Sequence, residues 1–255
     1  MSDDGTTRRL PTSLLLIGMS NSAPVNIPKT QRAWRYVRKG APPVALEFDP
    51  AAPVSTDLAD GEVLVRVAAA AMNPGFSVIM SELPTWITKP PMVVLNDLSG
   101  TIVASRDASR PIGTRVIGFL HVPLQFKTKE GAGQEYARMP GSYTVPLPSN
   151  IKFEEGAFAM AAMTAYQMLF VNHELKRGQR VFINGVTTAV GAFAVQIAKI
   201  WECEVWGCAS GRNEELAKSF GVDVVSGYPS PLPHHLMRSA TRSSLTTQNV
   251  QFIFS

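Results

Sequence analysis

The 255 residues, 45% hydrophobic and 17% charged, are enough to bury one large core or two modest ones. The formal net charge of +4 comes from scattered Lys and Arg, so no nucleic-acid-binding tract is indicated, although a basic pocket for a phosphorylated small molecule fits. Cys203 and Cys208 form neither a CxxC pair nor a disulfide framework, which points to a reducing, cytoplasmic setting, and no apolar run reaches the roughly 18 residues of a membrane helix.

In chain order, the LLLIGM segment behind Arg8 and Arg9 imitates the front of a signal peptide, but no small-residue cleavage site follows. Residues 1–29 are expected to be a disordered extension. From Thr30 to Asn150 the runs ALEFD, EVLVRVAAAAM, SGTIVA, TRVIGFL and EYARMP alternate with Pro, Gly and Asp, which predicts a small β-rich domain. At Phe153 the pattern changes: EEGAFAMAAMTAYQMLF is apolar all round a helical register, with Glu154 and Glu155 in the first turn, and predicts a buried helix. A strand over Gln179–Asn184, a helix over Ala189–Ile200, a strand over Glu204–Cys208, a helix over Asn213–Phe220 and a strand from Val222 to Val225 follow. The fold class is therefore α/β, with the first half of a doubly wound parallel sheet in residues 151–228. Residues 229–255 show no strand–helix alternation and are expected to be an irregular, unrelated tail in which only QFIFS offers a short strand.

The loop GVTTAVG, Gly185 to Gly191, sits where the first strand of that sheet hands over to its helix, the place where backbone N–H groups and the helix dipole hold a pyrophosphate. Its members Gly185, Thr187, Thr188, Ala189, Val190 and Gly191 are candidate cofactor contacts, although Thr188 and Ala189 stand where a glycine fingerprint would be richer. A plain strand-to-helix turn explains the loop equally well by itself. The discriminating position lies about 20 residues on, where an NAD site places a carboxylate against the ribose 2′-hydroxyl. Here the chain offers Ser210, Arg212 and Asn213, a hydroxyl, a guanidinium and an amide that suit a 2′-phosphate, so NADPH is favoured over NADH. The bland alternatives are a helix N-cap for Ser210 and a solvated charge for Arg212.

AAAAMNPGF, LNDLSGTIVA, GAGQEYARMP, AMAAMTAYQML, GQRVFINGVTTAVGAFAVQIAK and ASGRNEELAKSFGVDVV together, in this order, resemble the zinc-free quinone oxidoreductase-like and enoyl reductase branch of the medium-chain dehydrogenase/reductase superfamily. Among fungal members the resemblance is to trans-acting enoyl reductases. It implies a GroES-like catalytic domain over 30–150, a Rossmann NADP-binding domain from 151 and hydride transfer from NADPH to an activated C=C bond of an enone, quinone or enoyl thioester. Asn73 and Thr164 would line the nicotinamide end, Val190 and Gly191 the pyrophosphate, and Ser210, Arg212, Asn213 and Tyr228 the adenosine phosphate. Against these stand a turn residue for Asn73 and a hydroxyl bonded to its own helix for Thr164. LNDLSG lacks the His of zinc-dependent relatives and the N-terminal half lacks cysteine, so no catalytic metal is expected.

Family members continue through more of the Rossmann sheet, so the chain reads as truncated after an incomplete Rossmann domain. The resemblance also implies a small-molecule substrate and a polyketide synthase as a candidate partner. The family is often homodimeric, but the dimer-forming part is expected to be absent. A non-catalytic fragment, or an NADPH-binding protein without turnover, stays open as an alternative. His121, His173, Tyr136 and Tyr143 are unproven as proton donors.

Overall fold

The computed structural model describes residues 26–227 and the backbone of 250–254. Tyr228, the expected N-terminal extension up to residue 25, and residues 229–249 and 255 of the expected tail lie outside the described residues.

The β-rich half begins with β1 (Thr30–Tyr36), a strand not foreseen from sequence because its apolar residues are few; Gln31 and Ala33 are buried between exposed neighbours. One turn of helix, α1 (Pro42–Ala45), leads to β2 (Leu46–Pro53), and β1 lies between β2 and the short β4 (Met92–Val93), antiparallel to both. The second sheet has five antiparallel strands. β3 (Glu62–Ala71), β5 (Asp97–Ser105), β6 (Arg115–Phe119), β7 (Tyr136–Pro140) and β8 (Thr144–Pro146) are ordered β7-β3-β5-β6-β8. Val63, Val65, Leu98, Ile102, Val116 and Met139 point into its core and are almost wholly shielded. Burying each such side chain contributes about 1.5–3 kcal/mol relative to exposure.

Two helices interrupt this half where the sequence pattern showed only strand signals: α2 (Pro74–Glu82), which starts on a proline, and α4 (Val122–Thr128); a single turn, α3 (Thr85–Thr88), lies between them. Proline at a first helical position costs no hydrogen bond, because that N–H has no intrahelical partner in any residue.

The helix predicted from Phe153 onward is broken in two, α5 (Phe153–Gly156) and α6 (Ala159–Tyr166), the second widening into a π turn over Gln167–Val171. Non-helical backbone at Ala157 and Phe158 separates them. Each piece is pinned from outside. α5 is held by the Ser99 hydroxyl, which donates to the Phe153 carbonyl, and by the Arg115 guanidinium, which lies 4.6 Å above the Phe153 ring. α6 is capped by a carboxylate from β5, described below.

The last part alternates as predicted. β9 (Arg180–Asn184), α7 (Ala189–Ile200), β10 (Glu204–Ala209), α8 (Glu214–Ser219) and β11 (Val224–Gly227) build a parallel sheet. Gln251–Phe254 of the run QFIFS lie in β12 (Val250–Phe254), which pairs parallel to β9 on its other side. The strand order β11-β10-β9-β12 reverses direction between β9 and β12, and in open parallel sheets ligands bind outside the strand ends at such a reversal. Val181, Ile183 and Val205 face Ala194, Val195 and Ala198 of α7 and Ala217 of α8 to form the core of this half. Among the described residues no helix is long and apolar enough to cross a membrane.

Candidate active site

The carboxyl end of β9 runs into Gly185, whose φ of +76° is open to glycine and strained for other residues, and the chain turns there into α7. Gly191 lies so close beneath this turn that a Cβ on it would sit 2.1 Å from the Gly185 carbonyl oxygen. Thr188 caps α7: its hydroxyl oxygen accepts the Gly191 N–H at 3.0 Å. Gly191, expected as a pyrophosphate contact, therefore has its N–H engaged within the chain. The N–H groups of Thr187, Ala189 and Val190 have no partner among the described residues, and they stand at the positive end of a twelve-residue helix.

The turn after β10 meets this loop directly. The Asn213 amide donates to the Thr187 hydroxyl at 3.4 Å, and the Val186 N–H donates to the Cys208 carbonyl at 3.2 Å. Ser210 opens that turn and its carbonyl accepts the Asn213 N–H. Arg212 is exposed and makes no hydrogen bond or ion pair among the described residues. The structure thus brings Thr187 and Asn213 into contact and leaves the Arg212 cation on the same turn. The two acids that follow do not compete for it, because Glu214 and Glu215 pair with Lys218 at 2.8 and 3.6 Å.

Asn73 and Thr164, the other predicted pair, are joined through Asp97, a residue that sequence reasoning missed. Asp97 is 1% exposed at the start of β5. One of its carboxylate oxygens accepts the Asn73 Nδ2–H at 2.9 Å; the other accepts the Met160 backbone N–H, also at 2.9 Å. Met160 is the second residue of α6, so Asp97 supplies from another strand the cap that Phe158, at the helix start, has no side-chain group to provide. Burial pushes the Asp97 carboxyl above the usual carboxylate range, and the two donated hydrogen bonds pull against it. Thr164 lies one turn into α6, and its hydroxyl donates to the Met160 carbonyl at 2.7 Å, the self-bonded state weighed above.

An apolar cavity of about 240 Å³ adjoins Asn73, lined by Leu46, Met72, Phe76, Met80 and Leu95 among others. α6 also packs on α7, with the Phe158 and Phe193 rings 5.1 Å apart, so one helix ties the Asn73 frame to the Gly185–Gly191 loop.

His121 is engaged on both ring nitrogens: Nδ1 accepts the Leu124 N–H at 3.2 Å, capping α4, and Nε2 pairs with the Tyr143 hydroxyl at 3.0 Å. Among the described residues no three of His, Cys, Asp and Glu converge to hold a metal ion.

Residues 59–149 match the alcohol dehydrogenase GroES-like domain. The chain thus resembles proteins of the medium-chain dehydrogenase/reductase superfamily. It is 29% identical over 219 residues to the trans-enoyl reductase pgmF of Aspergillus terreus, an alignment covering 79% of this chain and 60% of that protein. Its fold matches the quinone oxidoreductase from Coxiella burnetii with a TM-score of 0.69 at 23% identity, over 87% of this chain and 68% of that one. A mycobacterial protein complexed with NADPH matches with a TM-score of 0.67 at 21% identity, over 84% and 63% of the two chains. The chain spans about 60% of the length of the curated trans-enoyl reductase it matches.

Proposed function

We propose that this protein is a member of that superfamily and an NADPH-dependent reductase of an activated C=C bond in an enone, quinone or enoyl thioester. Residues 30–150 would serve as its catalytic unit and 151–228 as an NADP-binding unit. The observation that carries the proposal is the Asn213–Thr187 contact, which sets the turn bearing Ser210 and Arg212 beside the Gly185–Gly191 loop.

The residues present fit NADPH. The loop supplies N–H donors at a helix start that have no partner among the described residues, and Gly191 keeps the backbone low enough for close approach. Thr187, Ala189 and Val190 would hold the pyrophosphate, while Ser210, Arg212 and Asn213 would hold the 2′-phosphate. When bound, NADPH supplies the hydride. The chain's own part is positioning and exclusion of water: Asn73 and α6 share the Asp97 frame, and the apolar cavity beside Asn73 would keep a substrate tail dry. The mycobacterial neighbour solved with NADPH and the trans-enoyl reductase relative support this reading.

The test is steady-state oxidation of NADPH by the full chain, offered a simple enone, a quinone and an enoyl thioester in parallel. Oxidation dependent on one of these acceptors is the expected result. Tight NADPH binding with no oxidation by any of them would instead mark a binding protein without turnover.

A further inference from the structure

We infer that Asp97 is a positioning residue that fixes which end of the Asn73 carboxamide is presented to the cofactor, so that Asn73 meets it as an acceptor. This rests on the reading of Asn73 as a nicotinamide contact.

Three observations converge on it. Asn73 stands at the N-cap position of α2, where an Asn side chain ordinarily accepts an N–H of its own helix, a contact whose loss costs about 1 kcal/mol. It makes no such cap; its carboxamide is turned away to Asp97. Asp97 itself is an almost fully buried carboxylate with no cation beside it among the described residues, an arrangement that costs stability relative to an uncharged residue. What distinguishes a carboxylate from an amide here is that it only accepts.

A carboxamide can turn through 180° with little change in shape, and its two ends have opposite hydrogen-bonding character. With an acceptor-only partner behind it, Nδ2 must face Asp97 and Oδ1 must face away. Oδ1 has no donor among the described residues, and Asn73 lines the apolar cavity. The hydroxyl of Ser77 in that lining spends its hydrogen on the Pro74 carbonyl at 2.6 Å, so it offers no donor to the cavity. The side chains thus offer acceptors and no donor there, with Asn73 Oδ1 the oriented one, which suits a ligand that brings an amide N–H, such as a nicotinamide carboxamide. Because the same carboxylate caps α6, the acceptor is held in register with the helix that packs on α7.

The exchange of partners gives a sharp test. Asp97→Asn keeps the shape and can still accept the Met160 N–H, but its new amide nitrogen donates toward Asn73 and turns that carboxamide round. The double variant Asn73→Asp/Asp97→Asn restores an acceptor at position 73 while preserving both hydrogen bonds. NADPH binding is followed by fluorescence titration, with thermal unfolding of each variant as the control for folding. Asp97→Asn should unfold like the parent and bind NADPH on the order of tenfold more weakly, and the double variant should recover most of that loss. Should Asp97→Asn not fold, the double variant carries the test against Asn73→Ala and must bind more tightly than it. Equal affinity for parent and folded Asp97→Asn, or a folded double variant that binds no better than Asn73→Ala, overturns the inference. A parent chain that binds no NADPH overturns the proposed function instead.

Discussion

Arg212 stands exposed on the turn after β10 with no partner in the described fold, so replacing it should act on a ligand and leave the fold alone. Arg212→Ala is expected to weaken binding of 2′,5′-ADP by about ten- to a hundredfold, the loss of one charge-assisted contact of about 1.5–3 kcal/mol. Its thermal midpoint should stay that of the parent. Calorimetric titration beside a melting curve checks both, and unchanged affinity would remove Arg212 from the site. The place of Arg212 on the turn after β10 was legible because the strand–helix periodicity fixes it at a known distance beyond the Gly185–Gly191 loop. Asp97 was not. Its partners lie 24 and 63 positions away in the sequence, and a single acid within the apolar stretch VVLNDLSGTIVA carries no signal of which donors will surround it. Thr164 was visible as a residue type, but its self-bonded hydroxyl shows why a hydroxyl in a helix is a weak indicator.

At the scale of elements, the alternation of strand and helix from Gln179 onward was readable because parallel strands buried on both faces leave continuous apolar runs separated by amphipathic helices. The break between α5 and α6 was hidden for the opposite reason. Nothing in EEGAFAMAAMTAYQMLF demands an interruption; it is imposed by Asp97 capping the second piece and by β5 and β6 holding the first. β1 and α2 were missed because few apolar residues, or a proline start, mask their periodicity. The β9–α7 turn depends on a close approach, which yields its own expectation. Gly191→Ala would push a methyl into the backbone at Gly185 and Val186, neither of which can swing aside as a side chain would. It should cost about 1–3 kcal/mol of stability and lower NADPH affinity as well. Chemical denaturation and fluorescence titration together check this; a variant as stable and as tight-binding as the parent would show that the turn opens freely.

Across the whole molecule, α6 links what the two halves do. Its first turn is fixed by β5 of the antiparallel sheet and its flank by α7 of the parallel sheet, so the acceptor on Asn73 and the donors of the Gly185–Gly191 loop belong to one connected frame. The division into a β-rich half and a parallel-sheet half could be read from the change of periodicity at Phe153. The connection between them could not, because it runs through long-range contacts such as the Asp97 carboxylate on α6 and the Ser99 and Arg115 contacts to Phe153. The central claim is that the mouth of this frame is built for an extra phosphate, with a guanidinium, a hydroxyl and an amide where a carboxylate would select against it. Side-by-side titration of the full chain with NADPH and NADH tests it most directly. NADPH should bind at least about tenfold more tightly, the worth of one phosphate–arginine contact; equal affinities, or a preference for NADH, would contradict the account.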